Sequence, residues 1–440
     1  MSIEEDQGTA RALHALLHET TVPPSRADIG EAVRQGRRAE RRRRGAAATA
    51  AVLAVLGVVG ATTAVLGRSG EARPEPARPT PVVSPGPVGT VTAEVETVPV
   101  TVTDRTLECK ISPLTLPAET LQVHVRGIDP TGRFVVGAAA IMADRRPRSA
   151  DGWYVLWDRK TPTLFKVPNP ARLGAAVVNA EGVVAGTGND NPGNGMVREF
   201  GWVYRNGQVQ RLPMLPGYDA AHVAAITEQG DVVGHAYRLP PEGEMRGGGG
   251  AVPVRWRADG SGGPWPLSTP ENGGSPVGVT RDGTVVGRHG FDKIRIWRPD
   301  GTTADLQMPP GIVRTAGWHV SGDWVAGYVA ASDAQSPTPL MRWNIHTGTM
   351  YVYPNIDSQG NLGMAVTSTG RTIVSTPEDG FLLVEPDGSV GRLPTPPGAE
   401  DWPRKVDANV ISDNGLLVGS AYLGPSASEG TGDYTWQCGG

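Results

Sequence analysis

The stretch AITEQGDVVGHAY (225–237) decides the fold. An apolar run, a polar tetrapeptide ending in Gly230 and a Val-Val-Gly close read as two short strands joined by a tight turn. Glycine accepts the positive φ that the last position of such a turn demands. After an interval comes VPVRWRADG (252–260), a third strand ending at Trp256 with a second turn behind it. The order then recurs along the chain. The tetrapeptides are DPTG (129–132), NAEG (179–182), TEQG (227–230), TRDG (280–283), HVSG (319–322), TSTG (367–370) and SDNG (412–415).

Gly137, Gly186, Gly234, Gly287, Gly327, Ser375 and Gly419 close the second strand of each unit at spacings of 40 to 53 residues. That is the length of one four-stranded blade with the surplus in loops. Trp157, Tyr204, Trp256, Trp297, Trp343 and Trp436 mark the third strands, with Val384 in the sixth unit, and read as packing anchors between blades. The second turns are RNG (205–207), ADG (258–260), PDG (299–301), HTG (346–348) and PDG (386–388), and fourth strands leave through elements such as Leu212-Pro213. The fold class is therefore all-β, a seven-bladed β-propeller over 106–440.

The last unit ends at YTWQCGG with a third strand but no fourth, whereas TLECKISPLTLPAE (106–119) reads like a fourth strand placed before the first unit. Joining both termini in one blade closes the ring. It also sets the only two cysteines, Cys109 and Cys438, opposite each other across one hairpin, which predicts a disulfide.

Upstream, residues 46–66 (AAATAAVLAVLGVVGATTAVL) are uncharged and mostly apolar, long enough to cross ~30 Å of hydrocarbon. Arg34, Arg37, Arg38 and Arg41 to Arg44 precede them and Arg68 is nearly alone after them, so the positive-inside rule leaves the N-terminus cytoplasmic and the propeller outside. A cleaved signal is the alternative, but both the leader and the apolar stretch exceed the usual length. Residues 1–45 then form an Arg-rich cytoplasmic tail, and the Pro-rich 67–105 an extended extracellular linker. Beyond residue 45 the chain carries 32 basic and 38 acidic residues, which argues against nucleic acid as a partner.

The repeats resemble bacterial extracellular HAF-type repeats, whose units pair a turn of the N-x-x-G kind with a V-V-G strand end. The resemblance covers about 120–440, departs at Ile373-Val374-Ser375, and implies a surface-exposed propeller without implying an activity. Some bacterial anti-sigma proteins share the layout of short tail, single span and outer domain, although the tail here lacks their zinc-binding His and Cys pair.

Long connections between second and third strands at 140–152, 188–200, 238–251, 331–340 and 422–433 share one face, where insertions build binding surfaces. Candidate binding residues there are Arg145, Arg146 and Arg148, a basic loop suited to an anionic polymer; Asp190 and Asn194, an oxygen-rich loop; and Glu242. His235 and His289, each just after the glycine closing a second strand, complete the set. No linear catalytic motif, metal-ligand pattern or cofactor-binding pattern is present. Three functional classes fit this architecture. They are a binding module for a cell-envelope polymer, secreted protein or small ligand; a propeller hydrolase or lyase acting on an extracellular polysaccharide or small molecule; and a transmembrane regulator.

Overall fold

A computed structural model describes residues 88–439, apart from 93, 101–104, 119, 144–145, 149–151, 169–172, 191–197, 240–249, 259–263, 269–272, 290–292, 308–313, 331–337, 358–363, 377–379, 400–405 and 423–430. The predicted span 46–66 lies outside the described residues.

Seven sheets follow in chain order, each built on four antiparallel strands. Blades 1 to 6 occupy 120–166, 173–211, 220–266, 275–307, 314–357 and 364–392. Blade 7 combines 406–438 with strand Cys109–Pro113. The first strand of each blade lies beside the first strand of the next, and that of blade 7 beside that of blade 1, so the ring is closed. The seam is the one read from the sequence: Cys109 pairs with Cys438 and Pro113 with Tyr434. The two Sγ atoms are 2.00 Å apart, at bonding distance.

The repeat residues explain the blades. Gly132, Gly182, Gly230, Gly283, Gly322, Gly370 and Gly415 all have positive φ. In six of the seven turns that glycine's N–H donates to the carbonyl of the tetrapeptide's first residue. The first residues, Asp129, Asn179, Thr227, Thr280, Thr367 and Ser412, are buried, and five of them accept a backbone N–H from the returning strand through a side-chain oxygen. Burying a polar side chain is tolerable only when it is paired in this way. HVSG (319–322) differs. Pairing continues to Ser321 opposite Trp324, and the turn closes on Gly322 and Asp323.

The turns also tie blade to blade. Asn179 Nδ2 donates to the Thr227 and Glu228 carbonyls at 3.2 Å, Ser368 N to Asp413 Oδ1 at 2.7 Å, and Asn414 Nδ2 to the Thr131 carbonyl at 2.7 Å.

All seven anchor positions are buried. Three tryptophans also donate to the exit of the blade before: Trp157 Nε1 to the Thr115 carbonyl, Trp256 Nε1 to that of Pro213, and Trp436 Nε1 to that of Pro394, at 2.7 to 2.9 Å. In two of the three, Leu212-Pro213 and Leu393-Pro394, a Leu-Pro element is thus the acceptor for the next blade's anchor. Val384, without an aromatic ring, shares a cluster with Tyr353 of blade 5 and Val100.

Within the predicted 67–105 linker, Val88–Thr92 and Glu94–Thr97 depart from that reading and form strands. Val88–Thr92 adds a fifth strand, parallel to Thr303–Gln307, on the outer edge of blade 4. Glu94–Thr97 does the same on blade 5 beside Thr349–Asp357. Thr106 bridges Arg392 on blade 6, and Leu107 N donates to the Arg392 carbonyl at 2.8 Å. The chain therefore follows the outer edges of blades 4, 5 and 6 before supplying the outer strand of blade 7. Covering outer strands in this way removes unpaired edges that would otherwise invite association.

Candidate functional site

Strand register decides which side chains share an end of the ring. Within blade 3, Ala220 pairs with Tyr237 and His222 with His235, at the end remote from the 227–230 turn. In blade 2, Asn189 pairs with Glu199 at the same relative height. This is the end from which the second-to-third connections leave.

Gly234 sets the spacing. A Cβ there would collide with the His222 carbonyl oxygen, so only glycine lets the first and second strands approach and bring the two imidazoles into register. Thr187 fixes blade 3 against blade 2 by accepting the Val223 N–H at 2.9 Å beside the bulge between Val223 and Ala225.

Glu199 then reaches across the blade boundary. Its Oε2 accepts from His222 Nδ1 at 3.2 Å and from the Tyr237 hydroxyl at 3.0 Å. The His222 and His235 rings stack with centroids 5.2 Å apart, and the Tyr237 ring lies 5.7 Å from that of His235. Burial pushes the Glu199 carboxyl up, but the hydrogen bonds and imidazoles around it outweigh burial and hold it below the usual carboxylate range. It is an anion at neutral pH. Burial first, then the neighbouring His222, pulls His235 down to about 4, so that ring is neutral. Its Nδ1 is buried without a partner among the described residues. Burial, reinforced by Glu199, raises the Tyr237 phenol, which stays protonated and serves as a donor. A carboxylate that only accepts fixes a proton on His222 Nδ1 and directs that ring's chemistry to Nε2.

Of the residues anticipated from the sequence, His235 belongs to this cluster. His289 Nδ1 instead donates to the Gly273 carbonyl at 2.6 Å on blade 4. The Asp190 carboxylate is held by Arg211 Nη2 at 2.7 Å, and that guanidinium also lies over the Phe200 ring. Arg146 and Arg148 are in a short strand, Arg146–Arg148, paired with Ala143 and Ile141, so the 140–152 connection is partly a β-ribbon. The apolar AAAIM run after Gly137 prolongs the second strand to Ala143. Arg145, Asn194 and Glu242 lie outside the described residues. Sequence reasoning passed over Glu199, His222 and Tyr237. They occupy no repeat position, and only ring geometry joins blade 2 to blade 3. Among the described residues, no group of three or more His, Cys, Asp or Glu is arranged to hold a metal ion.

No protein-family profile matches the chain, and neither does any curated protein. Among solved structures it is similar to YCF48 bound to D1 peptide, at 10% identity over 78% of this chain and 98% of that one, with TM-score 0.46. It is likewise similar to the β-propeller domain of the Trilobed protease from Pyrococcus furiosus, at 12% identity over 71% and 95%, TM-score 0.45. A third is the Pyrococcus horikoshii acylaminoacyl peptidase, at 10% identity over 72% of this chain, of whose own length 52% is spanned, TM-score 0.48.

Proposed function

We propose that this chain is a membrane-anchored, extracellular recognition propeller, tethered through residues 46–66, that binds a cell-envelope polymer on the face carrying the second-to-third connections. The observation that carries the reading is the Glu199–His222–His235–Tyr237 cluster: polar groups from two blades converge at that face, and one ring nitrogen is left unpaired. Buried polar groups that fold stability does not explain are where ligand contacts are sought. The apolar span with its flanking arginines and the resemblance to HAF-type repeats support the surface location.

The test uses the full chain in detergent, co-sedimented with purified cell-wall sacculi. Retention that is lost in Glu199→Gln and His222→Gln variants of unchanged thermal stability supports the reading; no retention, or equal retention in all three, overturns it. Protease added to intact cells should cut the propeller, and protection of the propeller would overturn the outward topology.

One observation favours a second reading. The Glu199–His222 pair has the carboxylate-oriented imidazole that a general base uses, as a propeller hydrolase or lyase would need. Turnover of a polysaccharide substrate that disappears in His222→Gln would establish it.

A further inference from the structure

We infer that the segment joining Val88 to Cys109 is an extensible strap: pulled from its N-terminal side it peels off blades 4, 5 and 6 in turn, and the Cys109–Cys438 bond then keeps the pull from unravelling the ring. This goes beyond the recognition reading and stands on strand pairing and connectivity, whatever the propeller binds.

The attachments are in series along the chain. Val88–Thr92 pairs with Thr303–Gln307 over five residues, and Glu94–Thr97 pairs over four, from Thr349 to Val352. Beyond them, Val98 N donates to the Val352 carbonyl at 2.9 Å, Val100 is buried and its carbonyl accepts from Asn355, and the Arg105 carbonyl accepts from Arg392 N at 3.0 Å. Both strands run parallel to their partners, a pairing slightly weaker per residue than the antiparallel one inside each blade. The Glu94–Thr97 side chains are all exposed, so that strand is held by its backbone. Load applied from one end breaks such contacts a few at a time, whereas opening a blade must separate a whole packed cluster at once.

At Cys109 the path of the load changes. Its Sγ is bonded to Cys438, the register partner on the third strand of blade 7. Without that bond, peeling would continue through Cys109–Pro113 into the first strand of blade 1 and on around the ring. With it, the outer strand of blade 7 is fixed to its neighbour, and the load passes directly from Cys109 to Cys438.

The lengths separate the two cases. An extended chain spans at most about 3.3–3.6 Å per residue, so the strap yields up to about 70 Å. The sequence separation of 329 between the cysteines corresponds to about 1,100 Å, which the bond withholds. Glu199 of blade 2 and His222 of blade 3 lie on blades that carry no fifth strand among the described residues, so the recognition face keeps its geometry while the strap extends.

The experiment is single-molecule pulling of the full chain in detergent, held at Met1 and Gly440. Residues 1–87 contribute equally to every trace. In the oxidised protein we expect an event of up to about 70 Å, at a force that falls in Val100→Asp, and no extension on the scale of the ring. After addition of reductant, or in Cys109→Ser, the same event should come first and a further extension of about 1,100 Å should follow. Reductant acts on protein already folded, so the comparison does not depend on the folding of Cys109→Ser. Ring-scale extension in the oxidised protein, a strap event that is missing or that Val100→Asp leaves unaltered, or a reduced protein in which strap and ring yield in one step, each overturns the inference. No polymer enters these traces, so failed retention on sacculi leaves the strap standing, and a missing strap event leaves polymer recognition standing.

Discussion

Cys109 and Cys438 face each other as register partners at the seam of blade 7, their Cα atoms 4.1 Å apart across a sequence separation of 329. The bond ties to blade 7 a fourth strand that lies far upstream of the other three in sequence. Cross-linking so large a loop restricts the unfolded chain, and native bridges of this kind contribute about 2–5 kcal/mol. Denaturant unfolding of Cys109→Ser, or of the wild type under reductant, should show a loss in that range. An unchanged midpoint would mean that the seam is held by its strand pairing alone.

Trp256 and Trp297 occupy the same place in adjacent blades and are equally buried, but only Trp256 donates through Nε1, to the Pro213 carbonyl at 2.8 Å; Trp297 Nε1 has no partner among the described residues. Replacement by Phe removes similar volume at both. At Trp256 it also strands a carbonyl, which costs about 1–3 kcal/mol more. Trp256→Phe should therefore destabilise by that margin beyond Trp297→Phe, as measured by urea unfolding, and equal losses would show that the bond contributes nothing net.

The features that repeat in space were the ones legible in sequence. Turn glycines, buried anchors and the exchanged strand each follow from a pattern that recurs at blade spacing, and Cys109 and Cys438 were placed by the same phase. The strand pairing of 88–97 was not, because VGTVTAEVET alternates weakly among prolines and its partners lie over 200 residues away. Glu199, His222 and Tyr237 were hidden for a related reason. Nothing in the chain sets a residue at the end of a blade 2 connection beside a strand of blade 3 except the curvature of the closed ring. Asp129 and its counterparts were recognised as turn formers, while their burial and the ties from one turn to the next needed the structure.

Asp433 sits where the ends of the ring meet, accepting from Ser420 Oγ at 2.8 Å. Burial raises its carboxyl from 3.8 to about 6, opposed by the Ser420 hydroxyl and a backbone hydrogen bond involving Val123. The folded state thus binds this proton more tightly than the unfolded state does. Its contribution is fully present below pH ~4 and is lost as pH rises through ~6, a change of about 3 kcal/mol for two units. Other carboxylates, such as Asp305 and Asp282, are shifted down and work in the opposite direction. The prediction is accordingly a difference. Between pH 4 and 7, wild type should lose stability relative to Asp433→Asn, and parallel pH profiles for the two proteins would sink it.

Val100 tests whether the segment running along the outer edges belongs to the folded unit. It is buried with Tyr353, Leu382, Val384 and Val390 from blades 5 and 6, and Asn355 Nδ2 donates to its carbonyl at 3.1 Å. Burying a valine contributes about 1.5–3 kcal/mol, and a charge in its place has no partner in that cluster. Val100→Asp should therefore release residues 88–100 from blades 4 and 5. The expected signs are protease cleavage between 88 and 105, faster amide exchange in Thr303–Gln307 and Thr349–Asp357, and self-association through the uncovered edges. Blades 1 to 3 carry no such fifth strand among the described residues, so their exchange should stay as in wild type. If exchange rises around the whole ring, the segment holds the propeller closed; if it rises nowhere, the parallel strands are not part of the fold in solution.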